Sequence, residues 1–348
     1  MNDTDSHGWL QYGLQDMEQV RLVLNGQSVV DWRRLALRDL SHVDELLLRV
    51  GLDSSQPEDM SRLNRLHEIA LDYVIKHLER NLDQSVVQPN DVRELLLMAS
   101  RGGKTQQDAC MLLKVMHIIH HTAGRELLYQ LPIPISELFY QVERDVFRAV
   151  DGMKSFGVNV AEFAGSRKAE HAIITKLLCR RDSLAAQVHD RLRFRIVTEA
   201  LDDVLAALVY MTRHLLPFNY IVPGESRNDL MDLEATMEGD DGLRPLRELM
   251  QTVADSDEGG PRINHFSDKA YNDINFVVDM PVRLDDALIS GSALPIEKSG
   301  RVVFLMVEFQ VVDRKTHRRN NQGASRHALY KERQRQRAFD RLEPWRKN

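Results

Sequence analysis

The sequence predicts an α+β protein: an all-helical first region, then a small mixed β-sheet flanked by helices. Three observations carry this. Between 14 and 150, apolar residues recur at helical spacing. After 150 the order becomes helix, strand, helix, strand, strand, helix. Finally, "VVFLMVEFQVV" (302–312) is a valine-rich run whose length and branching suit a strand. At 348 residues there is room for two domains, expected at 1–150 and 151–348.

Taken in order, "SRLNRLHEIALDYVIKHLERNL" (61–82) places Leu63, Leu66, Ile69, Ala70, Tyr73, Val74 and Leu78 on one helical stripe, with Ser61 as its cap. "NDVRELLLMAS" (90–100) opens on an Asn-Asp cap signal after Pro89. "QDACMLLKVMHIIHHTAGRELL" (107–128) is apolar on nearly all sides, which suits the central helix of a bundle. "PIPISELFYQVERDVFRAVDGM" (132–153) is another amphipathic helix, with Ser136 as its cap. "SFGVNVAEFAGS" (155–166) reads as a turn-rich connection and 167–187 as a basic helix. "DRLRFRIV" (190–197) alternates as a strand, 199–216 is helical, and "FNYIVP" (218–223) is short and extended. Residues 271–284 and 301–312 are strands, and a helix is expected from about 323.

Charge is distributed unevenly. The net is −6, with 43% hydrophobic residues. Between 229 and 260, ten acidic residues face only Arg244 and Arg247, a net of −8. That stretch, to about 262, reads as an acidic surface insertion. From 313 to 348, twelve Lys and Arg outweigh four Asp and Glu, a net of +8. The polar, acidic N-terminus lacks the marks of a signal peptide. No run approaches the ~18 apolar residues that a membrane span needs. Cys110 and Cys179 sit in apolar helical contexts, which fits a reducing cytoplasm.

Several motifs point to chemistry. "ASRGGKT" (99–105) lacks the first glycine of a phosphate-binding loop, since Met98 stands there; a turn between helices explains Gly102 and Gly103. His117, His120 and His121 could share a metal along a helix, but no carboxylate lies near them in sequence, so a core histidine with neighbours bonding to backbone is the expected reading. Lys168, Ala172 and Lys176, four apart, would line one helical face and suit a polyphosphate. On the 302–312 strand Met306, Glu308 and Gln310 share one face, and Val307, Phe309 and Val311 the other. Either this is an edge strand with a solvated face or the acid and amide face a ligand. Asp190 opens its strand on the face opposite Arg193 and Arg195; it is read either as an ion-pair partner or as a magnesium ligand together with Glu308.

In order and spacing, these pieces resemble the RelA/SpoT family of nucleotide pyrophosphokinases, the alarmone synthetases. Its signature E-x-Q-x-R-T, a Met-His pair, an Ala-Glu pair, a glycine and H-x-x-Y-K is matched ungapped at Glu308, Gln310, His317, Gly323, His327, Tyr330 and Lys331, seven matches over twenty-four positions. The R-x-K-x-x-x-S-x-x-x-K helix is matched at Lys168 and Lys176, and D-x-x-G-x-R at Asp190 and Arg195. Asn219-Tyr220-Ile221 stands for an Asp-Tyr-Ile turn, and 270–275 for G-Y-Q-S-L-H. Val312, Asp313 and Arg193 depart from the pattern. The likeness covers about 160–335, and the helices before it show no His-Asp doublet of a hydrolase domain.

The resemblance implies a nucleotidyltransferase-type fold that moves pyrophosphate from ATP to the 3′-hydroxyl of a guanosine nucleotide with Mg²⁺. In it, Asp190 and Glu308 hold the metal and Glu308 also takes or orients the attacking hydroxyl. Lys168, Lys176 and Arg195 hold phosphate, Tyr271 stacks on the acceptor base, Gln310 binds nucleotide beside Glu308, and His327 and Lys331 close the site or bind acceptor phosphates. Two alternatives remain: transfer to adenosine nucleotides or a tRNA 3′ end, and a binding module without activity.

Overall fold

The computed structural model describes residues 12–26, 37–179, 192–233, 272–289, 294–322 and 327–343. The first region is helical: α1 (Leu14–Asn25), α2 (Leu40–Arg49), α3 (Pro57–His77), α4 (Gln84–Val87), α5 (Glu94–Arg101), α6 (Lys104–Gln130) and α7 (Ile135–Ser155). Strand β1 (Val160–Arg167), α8 (Glu170–Cys179), β2 (Leu192–Thr198) and α9 (Leu201–His214) follow. The rest comprises β3 (Arg227–Asn228), β4 (Ile274–Arg283), α10 (Asp286–Ile289), α11 (Ile296–Ser299), β5 (Val302–Asp313), α12 (Arg314–Asn320) and α13 (His327–Leu342). The α+β class therefore stands.

Among the described residues the sheet has five strands in the order β1-β2-β5-β4-β3. β2 runs parallel to β5, and the other neighbours are antiparallel. β5 is thus central, which removes the edge-strand reading of Glu308. Alternation splits the sheet into two unlike faces. On one, Phe163, Phe194, Phe309 and Phe276 form a row across four strands, with ring centroids 5.9, 5.6 and 5.5 Å apart in succession. Gly165 stands opposite Phe194 in the ladder, and a Cβ there would come within 3.1 Å of that ring. Phe147 of α7 meets Phe163 edge to face. The other face carries Glu308 and Gln310 of β5, Arg193 and Arg195 of β2, and Asn275 and Asp279 of β4.

Helix α6 closes the lower part of this second face. Gly124 allows the close crossing: a Cβ would lie 2.5 Å from the Phe304 ring and 2.6 Å from the Val302 carbonyl oxygen. Buried residues of the helical region and of the sheet form one connected core. Among the described residues no helix is long and apolar enough to cross a membrane.

Several sequence expectations need correction. Helix α3 starts at Pro57 with Gln56 as its N-cap, so Ser61 lies inside it; proline pre-sets the first helical φ and needs no N–H there. Pro134, not Ser136, precedes α7. Helix α5 begins at Glu94, because the Asp91 carboxylate accepts from the Arg93 N–H and forms a turn ahead of it. The stretch read as a turn-rich connection is strand β1, held by pairing with β2. The basic helix starts later than expected: Arg167 ends β1 and Lys168 lies between β1 and α8, so Lys168 and Lys176 do not share a helical face. Residues 218–220 form a single 3₁₀ turn, and Ile221 then bridges to Val278. The tail helix expected from about 323 is α13, and the sequence reading missed the short α12 before it, which the Asp313 carboxylate caps by accepting from the Thr316 N–H at 3.0 Å. Most of the acidic stretch lies outside the described residues.

Of the α6 histidines, His117 and His120 are buried in the core, while His121 is half-buried and bonded to a carboxylate, not to backbone. The missing carboxylate exists after all: His121 Nε2 is 2.6 Å from the buried Asp279, which Arg125 also approaches at 3.3 Å. His117 packs on Tyr220 and His120 edge-on to Phe304. Burial holds both His117 and His120 down at about 3, against an ordinary 6.5, with neighbouring His121 and Arg62 adding to the effect. The folded chain therefore keeps both neutral while the unfolded chain takes up protons below pH 6.5. Stability is full above that pH and falls as pH drops toward 3, with a limiting slope of about 1.4 kcal/mol per pH unit for each histidine. Urea midpoints should decline from pH 7.5 to 5; a flat profile would contradict neutral burial.

Candidate functional site

Glu308 sits at the middle of the polar face because β5 is the middle strand and an even-numbered position faces away from the phenylalanine row. Its ladder neighbours are Arg193 on β2 and Val277 on β4. Gln310, two residues on, stands between Arg195 and Asn275. Side-chain bonds cross these strands. Arg195 donates from Nε and a terminal nitrogen to Gln310 Oε1 at 3.1 and 2.9 Å. Asn275 Nδ2 donates to Glu308 Oε1 at 2.5 Å. Glu308, Arg193 and Arg195 are all half-buried, reachable but partly shielded from water.

The margins of the face are also ordered. On the β3 side, Arg227 pairs with the buried Asp273 and lies 3.0 Å from Asp229. Burial pushes the Asp273 carboxyl up; Arg227 opposes this, and the charge of Glu308 adds to it. Asn320 of α12 clips the start of β4, donating to the Asn272 carbonyl at 2.6 Å and accepting from its N–H at 3.2 Å. On the β2 side, His317 is held below its ordinary value by burial and then by the Arg195 charge, with Glu162 opposing. Asn321 Nδ2 lies 3.1 Å from His317 Nε2.

The predicted site residues divide into three groups. Glu308, Gln310 and Arg195 come together on one face. Lys168 is half-buried in the turn after β1; Lys176 lies on α8 and His327 and Lys331 on α13, with their side chains outside the described residues. Asp190 and Tyr271 also lie outside them. Neighbouring Arg167 does not serve the site. It makes two 2.7 Å bonds to Glu143 of α7 and stacks over Tyr140 at 4.2 Å.

Among the described residues no three His, Cys, Asp or Glu side chains gather to cage a metal. Of the two carboxylates expected to hold Mg²⁺, Glu308 lies on this face and Asp190 lies outside the described residues; that ion needs only one or two carboxylates where phosphate oxygens and water complete its shell. Chemically, the face offers a carboxylate with Arg193 opposite it in the ladder and Arg195 one step on, an arrangement suited to a hydroxyl attacking a charged phosphoryl group.

The chain is similar to small alarmone synthetases. It matches the small alarmone synthetase 2 of Bacillus subtilis at 16% identity and a TM-score of 0.29, over 59% of this chain and 89% of that one. The small alarmone synthetase 1 of the same organism, solved bound to its product pppGpp, matches at 12% and 0.29, over 60% and 88%. A GTP pyrophosphokinase family protein from Streptococcus pneumoniae matches at 13% and 0.29, over 59% and 84%. No family model and no curated protein sequence matches the chain. These structures fall in the family that the 308–331 spacing resembles, but at such TM-scores the functional reading rests on the residues of the sheet.

Sequence reasoning missed what depends on register. Asn275 was only a counterpart of a family histidine, and Arg193 only a replaced glycine. Alternation places Asn275 and Asp279 on one face, and Arg193 with Arg195. Nothing in a single sequence says that those faces coincide with that of Glu308.

Proposed function

We propose that the protein transfers the β,γ-pyrophosphate of ATP to the 3′-hydroxyl of a guanosine nucleotide. One observation carries this reading: the Glu308 carboxylate stands at the centre of a polar sheet face, with Arg193 opposite it in the β2 ladder and Arg195 one step on, opposite Gln310. The spacing from Glu308 to Lys331 supports it. The acceptor 3′-oxygen forms a bond to the β-phosphorus. The bond from that phosphorus to the α,β-bridging oxygen breaks, and AMP leaves with the electron pair. Glu308 takes or orients the hydroxyl proton. Arg195, with Lys168 and Lys176, neutralises the phosphate chain, and Tyr271, His327 and Lys331 hold the acceptor. Glu308 and Asp190 would hold Mg²⁺, which would supply further charge neutralisation on the phosphates. The group transferred is so charged that positioning and electrostatics do most of the work.

A larger acceptor is the second reading, favoured by the exposed Lys315, Arg318 and Arg319 of α12, just beyond the end of β5. Basic side chains on an exposed helix suit a phosphate backbone such as tRNA. The deciding experiment incubates the purified protein with Mg²⁺, ATP labelled in its β,γ-phosphates, and GDP, GTP, ATP or tRNA in turn. Label should appear on GDP or GTP. Label on ATP or tRNA alone would move the assignment to that acceptor, and label on none would leave a binding module.

A further inference from the structure

We propose that Asn275 is a positioning residue for Glu308, fixing one carboxylate oxygen so that the other faces the attacking hydroxyl; this rests on the transfer reading above. Val277, directly opposite Glu308 in the β4 ladder, is buried and has no side-chain donor. The carboxylate is instead reached from the diagonal. Asn275 lies opposite Gln310, and its amide leans one ladder step along the face to donate to Oε1 at 2.5 Å. Diagonal neighbours at ~7–8 Å are within reach of such side chains. Gln310 does not compete for this amide, since its own oxygen is taken by both Arg195 bonds. The two central polar side chains are thus sorted, Gln310 toward β2 and Glu308 toward β4.

The donor itself is suited to the task. An amide N–H carries no charge and does not titrate, so it orients the carboxylate without neutralising it as a lysine or arginine would. It sits on a braced piece of chain. Arg227 pairs with Asn275 in the ladder and ties to Asp273, and Asn320 grips Asn272 by two hydrogen bonds. With Oε1 fixed, carboxylate rotation is restricted and Oε2 keeps one direction.

Isosteric Asn275→Asp tests this, because it keeps the shape, removes the donor and sets a second carboxylate against Glu308. kcat should fall about 10- to 100-fold, the usual range for a lost hydrogen bond to a charged group. KM for both nucleotides should stay within about twofold, since the lost contact is not to substrate. Asn275→His, which restores a ring N–H, should recover part of the loss at an unchanged thermal melt. Equal kcat in Asn275→Asp and wild type would overturn the proposal while leaving the transfer reading intact. Equal loss in the Asp and His variants would also overturn it, pointing to a merely structural residue. A readout independent of turnover is the side-chain NH₂ resonance of Asn275 in asparagine-labelled protein, assigned by its disappearance in Asn275→Asp. Glu308→Ala should shift it markedly, and an unmoved resonance would refute the contact even if no acceptor were ever labelled.

Discussion

Glu308→Gln should lower pyrophosphate transfer by ~10²–10³-fold, the range for removing one preorganised electrostatic group from a reacting centre. The substitution is close to isosteric, and one amide oxygen still accepts from Asn275, so the local bond at Oε1 survives. What changes is the other end, where an NH₂ donor replaces an oxygen that could take the hydroxyl proton. Binding of ATP and acceptor should change far less than the rate, because Arg193 and Arg195 remain on the face, and the amide oxygen and Asp190 can still serve Mg²⁺. kcat and kcat/KM should therefore fall together, the signature of an interaction made mainly in the transition state. Initial rates over a range of ATP at saturating acceptor measure this, and a thermal melt coincident with wild type shows that the chain is folded. A rate within twofold of wild type would remove Glu308 from the chemistry, and Asn275 with it.

The parts of this site that alternation governs were readable from letters alone; the parts that register governs were not. Period two put Glu308 and Gln310 on one face and Phe309 on the other before any neighbour was known. The apolar runs of β4, β5, α6 and α9 were long enough to declare themselves. Strand β1 was not, because Ala164, Gly165 and Ser166 have little strand preference of their own and take that conformation from their pairing with β2. The shift from basic helix to strand at Arg167 follows from a partner twenty-four residues upstream, Glu143, outside any local window. His121 and Asp279 are 158 residues apart, so the sequence showed three histidines without an acid. The departures from the family pattern also gain local reasons. Asp313, where a threonine was expected, caps α12. Arg193, where a glycine was expected, falls beside Glu308 and adds a cation to the face.

The largest effect on stability should come from Phe309→Ala, at about 3–5 kcal/mol. Phe309 is fully buried at the centre of the aromatic row, with Phe194 and Phe276 stacked on either side at 5.6 and 5.5 Å. Removing its ring takes away buried area and leaves a cavity between two rings on separate strands, which the pleated backbone cannot close by moving one helix. Phe163→Ala is the matched comparison. That ring lies at the β1 end of the row and is only half-buried, so the same deletion should cost less. Equilibrium urea unfolding of the two variants beside wild type measures the difference. Equal losses would mean that β1 and β5 are held by their backbone ladders and not by the row. The consequence for the active face follows from the same geometry. Phe309 lies between Glu308 and Gln310 in sequence and on the reverse side of the sheet from both. Phe309→Ala should thus loosen the strand that aims the carboxylate, lowering kcat below its melting range while leaving the chemistry of Glu308 itself in place, and by less than Glu308→Gln does.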